Sequence, residues 1–191
     1  MCASWTSGSS GCPSIRAAAP LGVAALLAVG CSTSEPPSTP TITTAGVAEA
    51  ATVSRVSDGD TLRTTSGRKI RLVQIDAPEL HGDCFGKGAL AALRKLTPPG
   101  TRITLERDPT LDSTDRYGRQ LRYVFVGGTN VNVALVRQGA ASPYFYRGDR
   151  GRDARDLLDA ARAARRAKRG SWGVGGIHHV ESKNVQGTAL M

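Results

Sequence analysis

Between residues 52 and 75 the chain alternates apolar and polar residues in three strand-length pieces, cut by Asp58-Gly59 and Ser66-Gly67. A period of two is what a half-buried strand requires. The first two pieces, 52–57 and 60–65, are joined by an Asp-Gly pair of the kind that favours a hairpin turn. The third, 69–75, buries Ile70 and Leu72 and stops at Ala77-Pro78, because proline has no donor for a ladder. Two more alternating pieces follow at 101–107 and 120–126. Helical spacing takes up most of what is left. Residues 87–96 put Ala89, Leu90, Leu93 and Leu96 on one face. A short helix over 131–138 is capped by Thr129 or Asn130 and ended by Gly139, and a last one runs over 152–169. Five strands with helices after the third and fifth predict a β-rich α+β domain. Its expected form is a five-stranded barrel of the oligonucleotide/oligosaccharide-binding (OB-fold) type with three helices.

The ends of the chain read differently. Residues 1–30 hold no acid and one base, Arg16, followed by an apolar run that leads into Ala28-Val29-Gly30-Cys31. That run is far short of the roughly 20 apolar residues that span a bilayer, and its order is that of a secretory signal. A cysteine directly after Val-Gly resembles a bacterial lipoprotein cleavage site, with Cys31 as the lipidated first residue of the mature protein; Ala28 stands where leucine is usual. Anchoring to the outer face of the bacterial membrane and plain secretion both stay open. Residues 31–49 read as a Ser/Thr/Pro-rich tether, too poor in apolar groups to order itself. The domain proper is expected over 50–173, with a flexible tail at 174–191 in which His178-His179 is no metal site. Removing the signal and lipidating Cys31 would leave Cys84 as the single thiol, so no internal disulfide is expected. The chain carries 25 basic and 16 acidic residues for a net charge of +9, and the signal region contributes only Arg16 to that excess. A polyanionic partner follows, either nucleic acid or an anionic membrane surface.

The carboxylates narrow the choice. Asp58-Gly59-Asp60-Thr61 sits between the first two strands, and Asp76-Ala77-Pro78-Glu79 leaves the third. Each alone is an ordinary turn or strand exit. Together with Arg71 and with Arg119 in Asp115-Arg116-Tyr117-Gly118-Arg119, they supply two acids for a hard cation, a spare glutamate and two arginines. Those are the parts needed to cut a phosphodiester.

In content, order and spacing these motifs, with Val131-Asn-Val-Ala-Leu-Val-Arg-Gln-Gly139, resemble the thermonuclease (staphylococcal nuclease) family. The resemblance covers roughly residues 52–172 and implies a five-stranded barrel with three helices, calcium as cofactor and DNA and RNA as substrates. It implies that Asp60, Asp76 and the Ala77 carbonyl are ligands of Ca²⁺. Arg71 and Arg119 become phosphate clamps that act most strongly on transition-state charge. Glu79 would activate or position the attacking water, and the products would carry 3′-phosphate ends. Arg116, Tyr117, Tyr144 and Tyr146 are the implied substrate contacts, the last two as a stacking wall. Gly88 and Phe85 depart from the family's common Glu and Tyr. The chain is expected to act as a monomeric, exported nuclease. The competing expectation is an OB-fold nucleic-acid-binding lipoprotein without catalysis, which would have no use for carboxylates that repel phosphate.

Overall fold

All five alternating segments form strands, and two of them bend far enough to serve two sides of a barrel. The computed structural model describes residues 48–173; the expectations for 1–47, including Cys31, and for 174–191 lie outside the described residues. Strand β1 (Ala48–Asp58) pairs through 48–52 with β5 (Arg102–Glu106) and through 53–58 with β2 (Thr61–Thr64). Irregular register at Val53/Arg55 and Val56/Asp58 lets it turn the corner. Strand β6 (Gln120–Val126) is the second corner: its first residues run parallel to β3 (Lys69–Leu72) and its later ones antiparallel to β5. The parallel β3–β6 pairing closes the order β3-β2-β1-β5-β6 into a five-stranded barrel. The expected α+β, OB-type barrel with three helices is the observed architecture.

Two boundaries differ from the sequence reading. Ala48 and Glu49, assigned to the tether, are the first rungs of β1 opposite Glu106 and Leu105, and Glu49 pairs with Arg68. An Ala-rich stretch has little strand preference, so only its partner strand orders it. The strand expected over 69–75 breaks after Leu72. Gln74 adopts a left-handed φ of 59°, and a separate short strand β4 (Ile75–Asp76) pairs with β8 (Ser142–Pro143). The break follows from burial: Leu72, Val73, Gln74 and Ile75 are all buried, which no alternating strand with one wet face allows. Asn132 fills the gap, donating from Nδ2 to the Val73 carbonyl at 2.8 Å and accepting the Val124 amide at 3.0 Å.

The helices close the barrel. Helix α1 (Gly86–Leu96) turns Ala89, Leu90 and Leu93 inward. The two-residue strand β7 (Thr129–Asn130) leads into α2 (Val131–Arg137), whose N-cap Asn130 accepts the Val133 amide at 3.2 Å. Helix α3 (Ala154–Arg166) presents Ala154, Leu157, Ala160, Ala161 and Ala164 to the interior. Val53, Leu62, Ile70, Leu72, Leu93, Leu105, Val124, Leu135 and Leu157 are all fully buried in one core. Each such side chain stabilises the fold by about 1.5–3 kcal/mol before entropy is counted.

Candidate functional site

The Asp58-Gly59-Asp60 turn does not use its glycine for a left-handed backbone, since Gly59 has no positive φ. It uses the missing side chain. A Cβ on Gly59 would stand 2.7 Å from the Cβ of Ala77 and 2.7 Å from that of Ala89. The turn therefore rests directly on the 76–79 loop and on α1. This contact buries Asp60, whose Oδ2 accepts the Ala77 amide at 3.1 Å and whose Oδ1 accepts the Thr61 hydroxyl at 2.9 Å.

Arg71, from β3, reaches into the same corner. Its Nη1 donates to the carbonyls of Leu72 and Ile75, both at 2.7 Å, and Nη2 donates to Asp76 Oδ1 at 2.9 Å. The same Nη2 lies 3.0 Å from Asp60 Oδ2. The break at Gln74 makes this possible, because it folds Ile75 and Asp76 back over the arginine. Two carboxylates thus converge on one guanidinium nitrogen. Asp58 stands beside them: burial, with the charge of Asp60 added, pushes its carboxyl above the usual range, while the Gly59 amide, Arg71 and Arg119 oppose the shift. The corner has a surplus of negative charge.

The second arginine is set by an aspartate. Asp115 Oδ1 accepts the amides of Tyr117 and Arg119, both at 2.9 Å, and Oδ2 accepts Arg119 Nε at 2.6 Å. Burial raises the pKa of Asp115, but these hydrogen bonds and the Arg119 charge outweigh it and hold the carboxyl below its ordinary value. Arg119 Nη1 then points at Thr61 Oγ1 at 3.4 Å, which bridges it to Asp60. Tyr117 is 62% exposed, with the guanidiniums of Arg116 and Arg119 at 4.7 and 5.4 Å from its ring centroid.

A groove of about 500 Å³ meets this corner at Arg71 and Ile75. Arg71, Arg116, Tyr117, Arg119, Tyr144 and Tyr146 are among the residues that line it. Behind the tyrosines, Gln74 holds the wall: its carbonyl accepts the Tyr144 amide and its Nε2 donates to the Asp149 carbonyl, both at 2.9 Å. A family model described as staphylococcal nuclease homologue matches residues 69–174, which carry every residue lining this groove. The chain belongs to the staphylococcal nuclease homologue family. Among relatives, it is 39% identical over 108 residues to endonuclease YhcR of Bacillus subtilis (strain 168), covering 49% of this chain and 9% of that one. It is 35% identical over 103 residues to the thermonuclease of Staphylococcus intermedius, covering 49% and 59%. Against the micrococcal nuclease of Shigella flexneri the identity is 38% over 108 residues, covering 50% and 59%. The chain thus spans less than two thirds of the length of each of these relatives.

Placed on this family member, the expected residues fall into two groups. Asp60, Asp76, Arg71 and Ala77 form one hydrogen-bonded corner, to which Thr61 links Arg119. Arg116, Tyr117, Tyr144 and Tyr146 line the groove with both arginines. Glu79 is exposed on the loop beyond Ala77, and its amide donates to Asp83 Oδ2 at 2.7 Å. Gly86 backs it, since a Cβ there would come within 2.0 Å of the Glu79 carbonyl oxygen. Calcium takes oxygens at about 2.3–2.6 Å; Asp60 and Asp76 are the carboxylates here that could offer them, and their converging oxygens are held by Arg71 Nη2 at 3.0 and 2.9 Å.

Sequence reasoning missed Asp58, Thr61 and Asp115 as parts of the site. Asp115 had a signal, an aspartate opening a Gly-containing turn four residues before the arginine; Thr61 had none. Cys84, expected as a lone thiol, is disulfide-bonded in the structure. The departures at Gly88 and Phe85 belong together, because a Cβ on Gly88 would lie 2.8 Å from two ring carbons of Phe85.

Proposed function

We propose that the chain is a calcium-dependent nuclease that hydrolyses phosphodiester bonds of DNA and RNA. The observation that carries this reading is the double engagement of Arg71, which lines the groove beside Arg119 while it bonds to both Asp60 and Asp76. Asp60, Asp76 and the Ala77 carbonyl would hold the calcium ion, which when bound supplies positive charge to a phosphate oxygen. Arg71 and Arg119 donate N–H groups to the phosphate's non-bridging oxygens, more strongly as negative charge grows there. Glu79 orients a water molecule and accepts its proton as the water oxygen bonds to phosphorus. The bond to the 5′-oxygen breaks, that oxygen takes up a proton, and a 3′-phosphate end remains. Tyr144 and Tyr146 stack on bases or sugars, worth about 1–3 kcal/mol per base, while Arg116 and Tyr117 hold a flanking phosphate.

A binding module without catalysis would gain nothing from Asp60 and Asp76 bonded to Arg71, an arginine that lines the groove. The test is cleavage of single-stranded and duplex DNA and of RNA by the purified chain, in calcium and in excess chelator. Cleavage is expected only in calcium, with a loss on the order of 10²–10³-fold or more in Arg119→Ala and in Glu79→Gln. Equal cleavage in chelator removes the calcium role, and no cleavage of any substrate removes the nuclease reading. We further propose export, with lipid on Cys31; mass spectrometry of the wild-type mature chain against Cys31→Ala tests it, and an unmodified Cys31 refutes it.

A further inference from the structure

A second groove, about 480 Å³, plays no part in the site above. Four arginines line it, Arg150, Arg152, Arg155 and Arg162, with Leu158 and Asp159. Arg152, Arg155, Asp159 and Arg162 recur every three or four residues, so they form one stripe along α3 and its lead-in, which Arg166 extends. Asp159 is bonded to Arg162 at 2.9 Å, and Arg152 is paired with Glu106 and, at 3.6 Å, with Asp153. Arg150 and Arg155 have no carboxylate partner among the described residues. Every arginine of the stripe is exposed; Arg152 also covers the ring of the buried Tyr123, its guanidinium 4.8 Å from the centroid.

The two grooves meet in the chain, for Asp149 lines the first and Arg150 the second. The segment between them is anchored. Gln74 holds the Asp149 carbonyl, the Arg152 amide donates to Asp108 Oδ2 at 2.9 Å, and the Arg150 guanidinium lies 5.6 Å from the Phe145 ring centroid. We propose that the arginine groove is a second binding site for the sugar–phosphate backbone, taking the part of a polynucleotide that runs past Tyr146 out of the first groove. The proposal rests on the nuclease reading for the occupant of the first groove. At 1.5 Å per residue, the stripe from Arg152 to Arg166 is roughly 20 Å long, the axial length of about six nucleotide steps of a duplex strand at ~3.4 Å rise. A lipid surface is the weaker fit, because membrane-bound helices carry exposed apolar anchors. Among the described residues the large exposed hydrophobics are Tyr117 and Tyr146, both in the first groove.

The test measures binding by the full chain in excess chelator, by fluorescence anisotropy, with a 30-nucleotide single strand and a tetranucleotide. In Arg155→Gln/Arg162→Gln the Kd for the long strand is expected to rise on the order of tenfold or more at 50 mM salt. The slope of log K against log salt should fall by about 1.4, two contacts at ~0.7 each. Tetranucleotide binding should stay unchanged, and Arg155→Lys/Arg162→Lys should keep most of the long-strand affinity. An unchanged Kd for the long strand overturns the proposal, as does an equal loss on the tetranucleotide. A loss confined to phosphatidylglycerol vesicles assigns the groove to a membrane instead. Cleavage by the wild type in calcium is read separately. An active chain with unchanged long-strand Kd sinks only the arginine groove, and an inactive chain that still loses affinity sinks only the nuclease reading.

Discussion

Replacing Gly59 by alanine adds one methyl group and tests how Asp60 is held. The new Cβ would stand 2.7 Å from the Cβ of Ala77 and 2.7 Å from that of Ala89. Carbon atoms rest at about 3.5–4.0 Å, so each gap must open by about 1 Å. Neither blocking methyl has a rotamer to turn away, so the backbone itself must move. The turn then lifts from α1 and the 76–79 loop. The Asp60 contacts to the Ala77 amide, now 3.1 Å, and to Arg71, now 3.0 Å, stretch out of hydrogen-bond range. Overpacking of this kind costs about 1–3 kcal/mol of stability, and a ~1 Å misplacement in a catalytic site costs on the order of 100-fold in rate. Urea denaturation gives the first quantity, and kcat/KM on an oligonucleotide in saturating calcium, well below the melting temperature, gives the second. Adding Ala77→Gly and Ala89→Gly to the variant should restore rate more than stability. A Gly59→Ala protein within twofold of wild-type activity would refute the reasoning, for Asp60 would then be placed without the turn's close seat.

The other expectations concern the groups around that seat. Arg71→Gln leaves two largely buried carboxylates facing each other, and in chelator should cost about 3–5 kcal/mol; calcium should stabilise this variant more than wild type, and equal shifts in denaturation midpoint would count against Asp60 and Asp76 as ligands. Gly86→Ala should lower kcat/KM by more than its loss of stability explains, because its Cβ would fall 2.0 Å from the Glu79 carbonyl oxygen; parallel kinetics and melting curves check this. Asp108 supplies the pH dependence. Burial raises its pKa, but the Arg152 amide, the hydroxyl and amide of Thr110 and the Arg152 charge outweigh that and hold it below its ordinary value. A depressed carboxylate contributes stability that is present above its unfolded pKa and lost as pH falls through the folded one. The stability gap between wild type and Asp108→Asn should therefore be constant above about pH 5 and shrink below about pH 4, as read from urea curves across that range.

Local chemistry was legible where neighbours in sequence are neighbours in space. The period-two segments became β1, β2, β3, β5 and β6, and Asn130 caps α2 from within its own first turn. The family motifs named Asp60, Asp76, Arg71 and Arg119 from residue type and spacing. Thr61 was invisible as a bridge because its meaning lies in Arg119, 58 positions away. The break at Gln74 was missed for the same reason: Gln74 Oε1 accepts the buried Tyr123 hydroxyl at 3.1 Å, and its other end holds the Asp149 carbonyl.

Side-chain chemistry and hydrophobic period are properties of single residues and short windows, so the primary chain already carried the barrel's parts and the acids and arginines of the candidate corner. Gly59 shows the remainder. Read along the chain it is a turn residue; in the folded domain it is the space where a turn, a loop and α1 touch. Whether three segments meet within a methyl's width depends on how all of them pack at once, and no window of sequence contains that distance.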